Sequence, residues 1–441
     1  MPCRSSPHSS RDAADHRAAE GVVVTSEVPG NSGPAPSANG SEESALPLRI
    51  GGLAPLSTPG WIEAGRHLSA GLRLGIAHVN ARGGLAGRSV ELAVKDTAAD
   101  PQRAEEAVDD FARMGALAVV GEYHSVAAQA AAVRADQLGL PFLCSSAVLD
   151  VLVPRLTESV ARIAPPQSYG WQVYAEFLLE RGHRRVVVVA DSGAYWAAGS
   201  RLLRAFLTPR GVRIVELDAR AHSPASICDA VHAGQATALL LLTGYPQPAC
   251  SIVLAARADP RLGGVLLGAP AGQPEFADWA SLLGAAGAGV PFLRYMPERL
   301  TPLGRRVQSE LRGELRGAPS FVALEGYDTV LMLAAAVEKG GTERTRITAS
   351  WPALAVRGTR GLIKFVRTPG IDNWQWARPP VQVADRDPHD PRRFRVLAQA
   401  GSRSPRRLPG SCPNRSFSVQ PRSGAWVRCR KGTAARIGDS S

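Results

Sequence analysis

The chain has 441 residues, 45% hydrophobic and 20% charged, a balance that excludes wholesale disorder. Its net charge of +12 would suit a nucleic-acid partner, but nine basic residues against one acid, Asp439, fall within 401–441, so +8 belongs to that tail. Six scattered cysteines without CxxC spacing speak against a disulfide framework or zinc site, and no apolar run approaches the ~18 residues of a membrane span.

Residues 1–46 are rich in Ser, Pro, Gly and Ala and read as a disordered leader without the apolar core of a signal peptide. As written the chain is expected in the cytoplasm, or exported or lipid-anchored if the true start lies elsewhere. An apolar strand over 48–54 precedes a helix over 63–80, where Leu68, Leu72, Ile76 and Val79 share a face. Glycines at 83, 84 and 87 end that helix. A strand over 90–94 follows, then a helix opened by the Asp100 cap and Pro101 and running to 114. Next come a strand over 117–121, a helix over 125–138 and a strand over 142–145. Paired acids at 105–106 and 109–110 read as a solvated helix face.

The alternation then restarts. Helices over 168–180, 195–207, 224–232 and 248–258 interleave with strands over 185–191, 212–217, 237–244 and 264–268. The β-branched run at 185–191 suits a parallel strand buried on both faces. Helices over 302–315 and 321–337 and a β region at 359–365 and 374–385 close the pattern. Two successive βαβ series imply an α/β fold of two doubly wound parallel-sheet lobes. The expected layout is lobe 1 over 47–165, lobe 2 over 166–292, a return to lobe 1 over 293–345, and a closing segment shared by hinge and lobes over 346–400. Residues 401–441 read as a basic disordered tail.

Catalytic signatures are missing: there is no phosphate loop, GxGxxG after the first strand, GxSxG elbow or HExxH. His183, in Arg-Gly-His-Arg-Arg, reads as a turn residue. The chain is therefore expected to be no enzyme and to need no cofactor or metal.

Four ordered segments carry a resemblance. Val79-Asn-Ala-Arg-Gly-Gly-Leu-Ala-Gly-Arg88 is followed by Asp96-Thr-Ala-Ala-Asp-Pro101, and then by Gly121-Glu-Tyr-His-Ser125 and Gly139-Leu-Pro-Phe-Leu-Cys-Ser-Ser-Ala147. In this order and spacing they resemble the leucine/isoleucine/valine-binding family of ABC-importer substrate-binding proteins. The resemblance implies the type I periplasmic-binding fold, with two lobes joined by a hinge, and capture of a small polar ligand in the cleft.

It also implies a site. In that family the serine at the start of a helix binds the ligand carboxylate, which maps here to Ser125 beside Tyr123. By position alone Ser125 would merely cap its own helix, whose N-terminus favours an anion in any case. The second carboxylate contact maps to Ser145, Ser146 and Ala147, with Ser146 offering a backbone N–H and Val148 replacing a threonine. Aromatic walls map to Trp61, Tyr195 and Tyr245, which would otherwise pack the lobe rim. The two acids that hold an α-ammonium group map to Gln167 and Ala271, neither charged, with Glu275 or Glu122 as substitutes of unknown placement. Without an acid a desolvated ammonium is unfavourable, so an amide, a neutral polar molecule or a simple carboxylate fits better than a zwitterion. A cysteine pair bridged in exported members maps to Ala99 and His124. The expected partners are the small ligand and permease subunits of an importer. The alternative is a regulatory protein, if the fold serves as a cytoplasmic amide-type sensor. Nucleic acid is not an expected partner.

Overall fold

The computed structural model describes residues 46–401, and two parallel sheets organise them. The leader and the basic tail lie outside the described residues.

The first sheet is laid down by β1 (Leu48–Ala54), β2 (Val90–Asp96), β3 (Ala118–Gly121), β4 (Phe142–Cys144) and β5 (Val160–Arg162). Between them run α1 (Ile62–Asn80), α2 (Pro101–Arg113) and α3 (Ser125–Gln137). All five strands are parallel, in the order β5-β4-β3-β1-β2, so β1 pairs with β2 on one side and β3 on the other. That reversal of winding opens a crevice at the carboxyl ends of β1 and β3. The Asp100 cap is present, its carboxylate accepting the N–H of Arg103 at 2.9 Å. The acid pair at 109–110 is less solvated than its composition suggests. Asp109 meets Arg134 at 2.6 Å, and Asp110 pairs with Lys95 and Arg113.

The chain leaves this sheet through α4 (Gln167–Glu180) and builds a second one from β6 (Arg185–Ala190), β7 (Arg213–Asp218), β8 (Ala238–Leu242) and β9 (Leu266–Gly268). Helices α5 (Ala194–Leu207), α6 (Pro224–Ala233), α7 (Ala249–Ala258) and α8 (Ala277–Leu283) flank it. The order β7-β6-β8-β9 is again parallel and places a second reversal at β6. Strand β10 (Phe292–Arg294) then leads to α9 (Pro302–Glu314), α10 (Phe321–Gly340) and α11 (Arg344–Ser350). The short strands β11 (Val356–Arg357) and β12 (Leu362–Ile363) pair with each other. Strands β13 (Phe365–Thr368) and β14 (Ile371–Trp376) extend the first sheet beyond β5. Finally β15 (Gln382–Arg386) and β16 (Phe394–Gln399) form a small antiparallel sheet with β10.

Helix α10 covers the first sheet by packing on α1 at very close range. A Cβ on Gly71 would lie 1.9 Å from the Ala323 carbonyl oxygen, and one on Gly326 would lie 2.6 Å from that of Leu68. Only glycine permits that approach, and it brings the start of α10, with Phe321, to the crevice.

Candidate ligand-binding site

The loop ends of both sheets face one another across a small, partly open cavity. Trp61 enters it from the loop after β1. That loop is pinned by Asp96, which accepts the Leu56 and Ser57 N–H groups at 2.7 and 3.2 Å. Tyr123, His124 and Ser125 come from the exit of β3, and Ser146 and Val148 from the exit of β4. Tyr195 and Trp196 open α5 after β6, while Ala271, Tyr295 and Phe321 complete the wall. The Asp191 carboxylate, accepting the Gly244 N–H at 2.7 Å, ties the exits of β6 and β8 together.

Six of the ten residues expected from the sequence line this cavity: Trp61, Tyr123, Ser125, Ser146, Tyr195 and Ala271. The other four do not. Ser145 and Ala147 are fully buried behind the wall, Ser145 donating to the Glu122 carbonyl at 3.3 Å and Ala147 packing into the core beneath α3. Gln167 lies behind Tyr195 and donates to its carbonyl at 3.1 Å. Tyr245 stacks on Trp279 and meets Trp61 edge-on at 5.6 Å, so it borders a neighbouring pocket rather than this one. Sequence reading missed His124, Trp196, Tyr295 and Phe321 as wall residues, and named Val148 only as the replacement of a threonine. Trp196 follows an expected wall residue and was open to inference, whereas Tyr295 and Phe321 arrive from segments far along the chain.

Two local expectations need correction. Ser125 does not cap its own helix, because His124 occupies the N-cap position without a side-chain cap. The Ser125 hydroxyl oxygen instead accepts the N–H groups of Val148 and Leu149 at 3.1 and 3.3 Å, which leaves its hydrogen free to be donated. Nor does Ser146 offer a free backbone N–H, since that group donates to the Glu122 carbonyl at 3.3 Å. Its hydroxyl donates to that of Ser145 at 3.3 Å and lies beside Glu325.

Neither candidate substitute acid lines the cavity. Glu275 pairs with Arg294 at 2.7 Å and accepts the Phe321 N–H at 3.3 Å. Glu122 is buried beneath the start of α3, where it accepts the Tyr123 and His124 N–H groups at 2.8 and 2.7 Å and the Thr97 hydroxyl at 2.7 Å. Burial pushes its carboxyl up to about 7 although those three hydrogen bonds oppose the shift. Glu325, behind the Ser146 side of the wall, is likewise raised to about 7 by burial and is engaged by Arg360 at 2.9 Å. Burial holds His124 below the usual imidazole range and the Tyr123, Tyr195 and Tyr295 phenols above theirs, so these four wall groups are uncharged at neutral pH. The cavity thus has a largely aromatic, neutral wall, with hydroxyls and helix N–H groups gathered at the start of α3.

Among the described residues no group of three or more His, Cys, Asp or Glu is placed to hold a metal ion, and no helix is long and apolar enough to cross a membrane.

Comparison with known proteins follows the same architecture. A leucine-binding protein, LivK, from Thermotoga maritima superposes with a TM-score of 0.69 at 20% identity, covering 80% of this chain and 98% of the other. A solute-binding protein of an ABC transporter from R. palustris, solved with benzoate, gives 0.68 at 18% identity, covering 80% and 96%. In sequence, the Leu/Ile/Val-binding protein BraC3 of Rhizobium johnstonii is 29% identical over 175 residues, 39% of this chain and 47% of that one. The chain therefore spans about half the length of the curated relatives it matches. The model of the periplasmic binding protein family matches residues 47–373, the stretch that holds both parallel sheets and every residue of the cavity wall. With two reversed parallel sheets facing across one cleft, this chain belongs to the periplasmic binding protein family.

Proposed function

We propose that the chain captures a small carboxylate with a flat, apolar or aromatic body by closure of its two sheet-centred halves. The carrying observation is the composition of the wall. Trp61, Tyr123, Tyr195, Trp196, Tyr295 and Phe321 supply faces for a flat body, while the Ser125 hydroxyl and the start of α3 supply donors at one end. A zwitterionic amino acid would bring an ammonium group to a wall without a carboxylate, an unfavourable desolvation. The relatives divide on this point: the Rhizobium protein is named for branched-chain amino acids, whereas the R. palustris neighbour holds benzoate. The wall favours the second kind of ligand. The R. palustris neighbour is described as a solute-binding protein of an ABC transporter; on our reading this chain acts as the substrate-binding component of such an importer, with permease subunits as its partners.

Isothermal titration of the full chain with benzoate, 4-hydroxybenzoate and leucine tests the ligand. Benzoate-class acids are expected to bind at about micromolar Kd and leucine at least about tenfold more weakly. Leucine binding as tightly as benzoate, or no heat with either acid, overturns the reading.

A further inference from the structure

Arg162 ends β5 one layer behind the cavity, and its side chain is wholly shielded from solvent. Its Nε donates to the Gln375 side-chain oxygen at 2.7 Å and Nη1 donates to the Leu149 carbonyl. Nη2 is buried without a hydrogen-bond partner. Among the described residues no carboxylate lies within ion-pair distance of it. The acid that acts on it from further off, Asp150, is taken up by the Ser168 N–H and hydroxyl at 3.0 and 3.1 Å. Arg360, buried to the same degree, shows the contrast: Glu325 and Asp328 meet it at 2.9 and 3.4 Å. A buried guanidinium stays protonated, so leaving one without an acid is unfavourable unless its charge is answered elsewhere.

What Arg162 holds leads to the cavity. It fixes the Leu149 carbonyl, and the N–H groups of Val148 and Leu149 donate to the Ser125 oxygen. Val148 and Ser125 both line the cavity. The Arg162 bond thus fixes one end of Leu149, whose N–H, in the preceding peptide, is one of the two that hold the Ser125 oxygen. The two N–H groups received by the Ser125 oxygen strengthen its hydroxyl as a donor to an anion. Tyr295, another wall residue, lies within the electrostatic reach of the same guanidinium.

We propose that Arg162 is a positioning and charge-selecting residue: acting through the 148–149 turn on Ser125, its unpaired guanidinium makes the cavity prefer a carboxylate over an isosteric amide. The inference rests on the carboxylate reading above and adds the source of the positive charge, which no wall residue supplies.

Benzoate and benzamide, equal in shape and different in charge, are the probes, titrated against the full chain. Wild type is expected to prefer benzoate at least about tenfold. R162M is expected to lose about tenfold in benzoate affinity while benzamide changes less than about threefold, so the preference collapses. R162K, which keeps the charge, is expected to restore most of the preference. Q375E sets a carboxylate against the guanidinium on a side chain of unchanged length; it is expected to collapse the preference with the arginine in place, which covers the case of R162M failing to fold. Equal weakening of both probes in R162M or Q375E, or an unchanged preference, overturns the proposal and leaves Arg162 a structural residue. A wild type that does not bind benzoate overturns the carboxylate reading itself, a separate and distinguishable failure.

Discussion

Ser125 has two hydrogen-bonding duties that point in different directions. Its oxygen receives two backbone N–H groups from the exit of β4, and its hydrogen is left for the cavity. Ser125→Ala is therefore expected to do more than remove a ligand contact. It loses one hydrogen bond to a charged acceptor, about ten- to a hundredfold in affinity, and leaves two buried N–H groups without their acceptor, roughly 1–3 kcal/mol of stability. Titration and chemical denaturation on the same variant separate the two effects, and unchanged benzoate affinity would move the site elsewhere. Glu122 belongs to the same scale. Burial raises its folded pKa to about 7 from the ordinary 4.5, so the folded state retains a proton that the unfolded chain releases. The stabilising contribution is thus present below about pH 4.5 and is lost as pH rises through 7. Glu122→Gln should flatten the fall in the urea midpoint between pH 5 and 7 without abolishing it, because Glu325 shifts the same way. An identical pH slope in the variant would contradict the assignment.

At the scale of elements, α1 does three things at once: it packs on α10, carries Trp61 at its N-cap position, and reaches across the cleft through Glu63. The Glu63 carboxylate accepts the Ala277 and Asp278 N–H groups at the start of α8 at 2.8 and 3.2 Å, and α8 belongs to the second sheet. This contact exists only while the halves are together. Glu63→Ala is expected to destabilise the closed form and raise the ligand dissociation rate about three- to tenfold, with a larger radius of gyration of the free chain in solution scattering. An unchanged dissociation rate would show that the contact does not hold the cleft. The Glu63 bridge was not legible beforehand, and the reason is physical. Helix α1 declares itself by an apolar repeat long enough to have a period, α2 by its Asp100-Pro101 start and β6 by its β-branched run. Strands β5 and β10, three residues each, and α8, seven residues, have no room for one; they are fixed by neighbours distant in sequence. The site divides the same way. Trp61, Ser125 and Tyr195, in loops that follow recognisable strands, were named through the family resemblance. Gln167 and Tyr245 sit at similar exits, but their side chains turn into the second half's packing, an orientation no spacing encodes. Arg162, on an unrecognised strand, carried no signal at all.

The whole molecule puts the donors with the Trp61 and Tyr123 rings on one half and the Tyr195 and Trp196 rings on the other, and that division makes an order of events testable. Ser125, Ser146 and the start of α3 belong to the first sheet, which suits first contact with a carboxylate. Tyr195 and Trp196 belong to the second sheet and reach a ligand held there once the cleft is shut. The rim already shows what closure joins: Trp61 from the first half meets Phe276 and Tyr245 of the second at 5.9 and 5.6 Å. A contact made only after closure stabilises the closed complex and leaves the encounter unaffected, so its loss belongs in the dissociation rate. Tyr195→Ala is accordingly expected to speed benzoate dissociation about tenfold while association changes less than about twofold. Ser125→Ala, by contrast, should slow productive association as well, because the first docking point is gone. Trp61 at the rim provides the signal, and stopped-flow fluorescence on the two variants gives both rate constants for each. If Tyr195→Ala slowed association and left dissociation unchanged, the ligand would be docking first on the second sheet, and the order argued here would be reversed.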